Sequence, residues 1–333
     1  MRHFVIVGIL IIVLTFLLIL GLDAANLMPV EASAQASEID WMWKLQEIAM
    51  SFLFALIVVP MVYSLVVFKR PKGDTSDAQH IEGNTRLEIT WTIIPLILVV
   101  AFSVLGAGNL ANTIRPSSDA MVVRVRGFQW AWTFDYPEYG FSSTEMYVPV
   151  NRALNLKMES SDVIHSFWVP EFRVKQDVVP GRVTELRITP ILIGDYKVRC
   201  AELCGTAHYN METPVVVVDD AAFAAWVAEQ QEIAKEAQAT PEGRGQLLVQ
   251  NNVCGACHSI NGAAGIGPTW LGLFGRTEEM EDGTIIVVDE AYLHESIKDP
   301  KAKIVKGFPP TMPVFPLTDQ EIEDIIAYIK TLK

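Results

Sequence analysis

The sequence predicts a multidomain membrane protein: a two-helix transmembrane hairpin, an all-β sandwich, and an all-α domain. Three observations predict it. Two apolar runs long enough to span a bilayer, 45–68 and 91–110, lie within the first third of the chain. From about residue 113 the pattern changes to short β-rich runs separated by Gly, Pro, Asn and Asp. After residue 219 helical patterning returns and continues to the end.

The bulk numbers agree. The chain has 333 residues, enough for two or more domains, and 50% of them are apolar. Mean hydropathy is positive, as membrane segments require. There are 26 basic against 39 acidic residues, a net charge of -13. That balance argues against a nucleic-acid partner, which needs basic patches, and suits attraction of a basic protein.

Residues 1–34 open with Arg2, run apolar from Phe4 to Leu20, and end in small residues with Ala32-Ser33-Ala34 as an A-x-A site. This is the pattern of a cleaved secretory signal; a retained first helix is the alternative. Residues 35–112 hold the hairpin. Its spans are 45–68, with Pro60 tolerable inside a membrane helix, and 91–110. Lys69, Arg70 and Lys72 in the connecting loop place that loop in the cytoplasm by the positive-inside rule. Everything from about residue 113 therefore lies outside the cytoplasm.

Residues 113–220 hold the sandwich, with runs such as "MVVRVRGFQWAWTFDY", "ALNLKMES" and "GDYKVRC". Residues 221–240 read as a helical linker and 241–333 as the helical domain. Its last helix, "TDQEIEDIIAYIKTLK", should start in a capping box of Thr318 and Glu321.

The four cysteines form two close pairs. Cys254, Cys257 and His258 make C-x-x-C-H, the attachment motif of a c-type haem: two thiols add to the vinyl groups and His258 binds the iron. A second axial ligand should lie downstream. Met280, His294 and Met312 are candidates, and Met312, held in the proline-rich "GFPPTMPVF", is preferred. A thioether opposite His raises the potential and suits electron transfer. The segment resembles a class I cytochrome c domain. "GIGPTWLGLFGR" is similar to the family's Gly-Pro segment, which implies that the Pro268 carbonyl steadies His258, and "EDIIAYIKTL" to its closing helix.

The other pair sits in "RCAELCGTAHYNM", beside His208 and Met211. A disulfide would close a very small loop, and zinc has no use for the thioether. Thiolates, imidazole and thioether together select copper. His165, at the end of a strand-like run, offers a second imidazole, as in cupredoxins. Two cysteines in place of one imply two copper ions bridged by both thiolates.

The set His165, Cys200, Glu202, Cys204, His208, Met211 resembles the CuA site of cytochrome c oxidase subunit II. The resemblance implies that the Glu202 carbonyl binds copper and its carboxylate reaches a magnesium ion shared with subunit I. "RLEITWTIIPLILVV" is similar to the family's second membrane helix, with Glu88 at the entrance of a proton channel. "GFQWAWTFDYP" is similar to its aromatic stretch, with Trp130 as the electron entry point, although Ala131 stands where an aromatic residue is usual.

With the fused haem domain, the whole resembles subunit II of the caa3-type oxidases. The implied function is electron entry from haem c to dinuclear CuA and on to haem a of subunit I, for oxygen reduction coupled to proton pumping. The implied setting is the plasma membrane. The implied partners are subunits I and III and a donor such as a c-type cytochrome or copper protein. The alternative is the equivalent subunit of a CuA-containing nitric oxide reductase. A copper carrier would need no haem, and a quinol oxidase subunit would need no copper ligands.

Overall fold

The computed structural model describes residues 1–333 except 78, 79, 253 and 264. They fall into two units, one of 1–116 with 171–173 and one of 117–170 with 174–333.

The first unit contains helices α1 (Arg2–Ala25), α2 (Ala34–Val67) and α3 (Thr85–Thr113). All three are long and apolar enough to cross a membrane, where the sequence predicts two spans. The run read as a signal is thus a full helix. α2 also begins eleven residues before the expected span, because Ser33 Oγ accepts from the Ala36 N–H and caps it there. Asn84 caps α3 through Leu87 N–H (3.2 Å), and Glu88 in the first turn reaches back to Asn84 N–H (3.2 Å). Pro60 and Pro95 both sit inside helices, as membrane helices tolerate.

In the second unit, the ten strands of a sandwich come first: β1 (Met121–Phe128), β2 (Ala131–Tyr136), β3 (Phe141–Ser143), β4 (Met146–Pro149), β5 (Leu154–Ser160), β6 (His165–Trp168), β7 (Lys175–Val178), β8 (Thr184–Ile188), β9 (Gly194–Cys200) and β10 (Glu212–Val218). One sheet runs β3-β2-β1-β5-β8 and the other β4-β10-β9-β6-β7. Inward residues alternate along the strands; Val123, Val125, Leu156, Met158, Val198 and Val215 are all buried between the sheets. The aromatic stretch "GFQWAWTFDY" is not one strand. It folds into a hairpin in which Phe128 faces Ala131 across the two-residue turn Gln129-Trp130.

Helix α4 (Asp220–Gln238) follows β10 and is capped by Asp219. Its Trp226 stacks on Tyr147 at 4.6 Å and 11° and meets Tyr136 and Phe141 edge-on at 5.2 Å. Each such pair contributes about 0.5–1.5 kcal/mol beyond area burial, so the helix is docked on the sandwich.

The last domain packs α5 (Pro241–Asn251), α6 (Glu290–Lys298) and α7 (Asp319–Ile329) around Trp270, Leu293, Ile322, Ile325 and Ile329. α5 and α7 cross in close contact at Gly245, where a Cβ would come within 1.9 Å of the Asp324 carbonyl oxygen. Arg244 pairs with Asp324 beside the crossing, at 2.8 and 2.7 Å. The Thr318/Glu321 capping box is present. A small hairpin, β11 (Thr277–Glu279) with β12 (Ile285–Val287), adds strand to a domain the sequence reads as all helical. Its cause is local: Asp282-Gly283 supplies a turn, with Gly283 at φ 85°, that folds the β-branched run Ile285–Val287 back on Thr277–Glu279.

Candidate metal centres

The loop from Cys200 to Met211 joins two paired strands. Cys200 ends β9, Met211 precedes β10, and Cys200 N–H donates to the Met211 carbonyl at 3.0 Å. β6 pairs with β9 through Phe167 opposite Cys200, which brings His165 to the same end. Ala201 N–H then ties to the Ser166 carbonyl at 2.9 Å.

The side chains converge. Cys200 Sγ lies 3.8 Å from Cys204 Sγ, 3.8 Å from His165 Nδ1 and 3.2 Å from the Glu202 carbonyl. Cys204 Sγ lies 3.5 Å from His208 Nδ1 and 3.8 Å from Met211 Sδ. Both thiols are free and buried. His165, Cys200 and Cys204 form a group with ligand atoms within 4.8 Å of one another. The donor set is therefore two thiols, two Nδ1 atoms, one thioether and one carbonyl, a soft set that fits copper. The Glu202 side chain itself is exposed.

Electrostatics prepare the thiols unequally. Burial opposes ionisation of Cys200, but hydrogen bonds from His165 and neighbouring groups bring its pKa down to about 6. Burial and the adjacent Cys200 thiolate push Cys204 up to about 12. Burial alone would lower His165, yet Asp162 and Cys200 together raise it.

Sequence reasoning missed the supporting residues. Asp162 Oδ1 is 2.8 Å from His165 Nε2, and its Oδ2 accepts from Gln129 N–H at 2.6 Å. Gln129 Nε2 donates to the Cys204 carbonyl at 2.6 Å, and Trp130 Nε1 donates to it at 3.1 Å. The turn of the β1–β2 hairpin thus sits directly on the ligand loop. Gly205, at φ 116°, leaves room for it: a Cβ there would lie 2.8 Å from Gln129 Nε2. The one available signal was a carboxylate, Asp162, three residues before the candidate ligand His165.

In the helical domain, Cys254 and Cys257 are free and half-buried. His258 N–H donates to the Cys254 carbonyl at 2.9 Å, so the motif closes one turn. His258 Nδ1 is 2.8 Å from the Pro268 carbonyl, and the ring stacks on Trp270 at 5.0 Å. That hydrogen bond commits Nδ1 and leaves Nε2 for iron. Burial lowers the His258 pKa, which favours the neutral, ligating form. Met312 packs partly buried against the core that Cys254 also touches. Of the other two candidates, His294 lies 3.5 Å from Asp319, and Met280 is buried beside the small hairpin. Glu88 lies in the first unit, exposed on α3.

An apolar anchor, a β-sandwich with a pocket of soft ligands, and a helical domain carrying C-x-x-C-H define a membrane-bound redox protein. Residues 21–106 match the model for cytochrome c oxidase subunit II, transmembrane domain, 142–220 that for its periplasmic domain, and 243–333 that for cytochrome c. Cytochrome c oxidase subunit 2 of Synechocystis sp. is 34% identical over 250 residues, covering 61% of this chain and 75% of that protein. The same subunit of Alkalihalophilus pseudofirmus is 30% identical over 308 residues, covering 87% of each, and that of Bacillus subtilis 31% over 294, covering 81% and 82%. The chain belongs to the cytochrome c oxidase subunit II family, in the caa3-type form with a fused cytochrome c domain. It is a copper- and haem c-bearing subunit of a haem–copper oxidase.

Proposed function

We propose that this chain is the electron-entry subunit of its oxidase. It accepts electrons at the haem c held by Cys254, Cys257, His258 and Met312. It relays them to two copper ions held by His165, Cys200, the Glu202 carbonyl, Cys204, His208 and Met211, and delivers them to haem a of subunit I. Oxygen is reduced to water there, coupled to proton pumping. Copper and haem supply one-electron chemistry with little bond-making. The chain's own residues fix the ligands before metal binds: Asp162 sets the His165 tautomer, and Gln129 and Trp130 pin the Cys204 carbonyl.

Other roles extend this reading. The exposed Glu202 carboxylate reaches a magnesium ion at the interface with subunit I. Trp130, whose indole donates to the Cys204 carbonyl at 3.1 Å, is the point at which electrons from an external donor enter the copper domain. Glu88 opens the proton channel of the catalytic subunit. The copper and haem domains lie on the extracytoplasmic side of the plasma membrane, with subunits I and III as partners and a c-type cytochrome or copper protein as donor.

The single observation that carries the proposal is the six-donor pocket around Cys200 and Cys204. Electron paramagnetic resonance and metal analysis of the purified complex test it. A mixed-valence two-copper signal from this subunit, with one haem c, is expected. A single-copper signal, or nitric oxide turnover without oxygen turnover, would refute it.

A further inference from the structure

Residues 1–34 read in sequence as a leader that ends at Ala32-Ser33-Ala34. The fold treats them as built parts. Helix α1 lies along α2, with Ile11 packed on Ala55 and Val59, and Val7 and Leu14 beside them. At one end His3 Nδ1 is 2.7 Å from the Tyr63 hydroxyl, and its ring meets Phe68 at 5.1 Å. At the other end Lys44 bonds both Asp23 and, at 3.0 Å, Glu47. α1 is thus matched to α2 by polar groups at both ends and by an apolar seat between them. Its 24 residues span about 36 Å at 1.5 Å each, enough to cross a bilayer. The apolar core of a leader is usually shorter, about 7–15 residues.

The segment after α1 is fastened as well. Ala32 is fully buried, and its N–H donates to the Glu171 carbonyl at 3.0 Å. Ser33 is fully buried too; its hydroxyl donates to the Phe172 carbonyl at 2.9 Å while capping α2. Arg173 grips Asp40 at 2.8 and 2.9 Å and also donates to the Pro29 and Val30 carbonyls. The bond that a peptidase would cut, Ala34–Gln35, lies in the first turn of α2.

Processing precedes folding, so burial would not by itself stop a peptidase. A discarded leader has no reason to carry a matched polar pair at each end, a helix cap and three main-chain anchors. Excision after Ala34 would strip the cap from α2, remove α1 from its seat, and leave the Glu171 and Phe172 carbonyls without these donors.

We propose that α1 is a retained third membrane-spanning helix, and that Ala32-Ser33-Ala34 is a folded clamp instead of a processing site. The proposal is independent of the metal-centre reading. Intact-mass and peptide mass spectrometry of this subunit, taken from the assembled complex, tests it. The expected result is a subunit that still contains α1, with recovery of peptides from within Arg2–Ala25 and of peptides spanning Asn26–Lys44. An N terminus after α1, at Gln35 above all, overturns it.

Discussion

Asp162 and His165 form a hydrogen-bonded pair in which Asp162 Oδ1 lies 2.8 Å from Nε2 while Nδ1 of the same ring faces Cys200 Sγ at 3.8 Å. One imidazole is therefore oriented from behind and presented to the thiols from the front. Carboxylate partners of this kind fix the tautomer of a ligating histidine, and their loss costs about 10–100-fold in metal affinity. Asp162→Ala is expected to weaken copper binding within that range, and Asp162→Asn, which keeps an acceptor oxygen, to weaken it less. Chelator competition on the copper-depleted subunit measures both. Equal affinity in all three proteins would remove Asp162 from the site.

The two thiols predict a pH dependence for copper loading. The pair loses its first proton near 6, at Cys200, whereas Cys204 holds its proton up to about 12. Copper takes thiolates, so at neutral pH it must displace the Cys204 proton. Affinity should rise between about pH 7 and 9 and fall below that range, where the Cys200 proton also competes. A competition titration across this window checks the sign. A flat profile would mean that both thiols are already ionised.

Met211 tests the division of labour among the ligands. Its Sδ is 3.8 Å from Cys204 Sγ and the residue is 1% exposed. Leucine has similar volume, so Met211→Leu should cost less than about 1.5 kcal/mol of stability. The expected result is retained copper with a shifted potential and slower electron transfer, since a thioether is a weak ligand. Loss of all copper, measured by metal analysis, would assign Met211 a principal role.

The legibility of the molecule divides along a physical line. The convergence of Cys200, Cys204, His165, His208 and Met211 could be anticipated because soft-metal chemistry demands Cys, His and Met together, and C-x-x-C-H needs one turn. The Pro268 contact to His258 is implied by the resemblance of its segment to cytochrome c, and the 2.8 Å bond agrees with it. What the sequence hid depends on tertiary placement. Gln129 and Trp130 looked like the middle of a strand, and only the pairing of Phe128 with Ala131 turns them into a hairpin tip against Cys204. Asp162 is near His165 in sequence, but its second oxygen finds Gln129 only once β1 and β5 pair. The early start of α2 is hidden in the sequence because Ser33 fits both an A-x-A motif and a helix cap, and only its bond from Ala36 N–H selects the cap.

The haem side turns on a glycine. A Cβ on Gly267 would lie 2.7 Å from His258 Cε1 and 2.9 Å from Nδ1. The ring cannot retreat freely, because Trp270 stacks on it at 5.0 Å and the Pro268 carbonyl holds Nδ1 at 2.8 Å. Gly267→Ala must therefore either rotate the imidazole, breaking the Pro268 bond, or displace the 267–270 segment. Overpacking of this kind costs about 1–3 kcal/mol, and rotation would also misalign Nε2 with the iron. The expected outcome is covalently attached haem, since Cys254 and Cys257 are untouched, with an altered axial spectrum and a shifted potential. Spectroelectrochemistry of the complex checks it, and copper content should stay at the wild-type level. A wild-type haem potential in Gly267→Ala would show that the His258 ring is not confined as these contacts indicate.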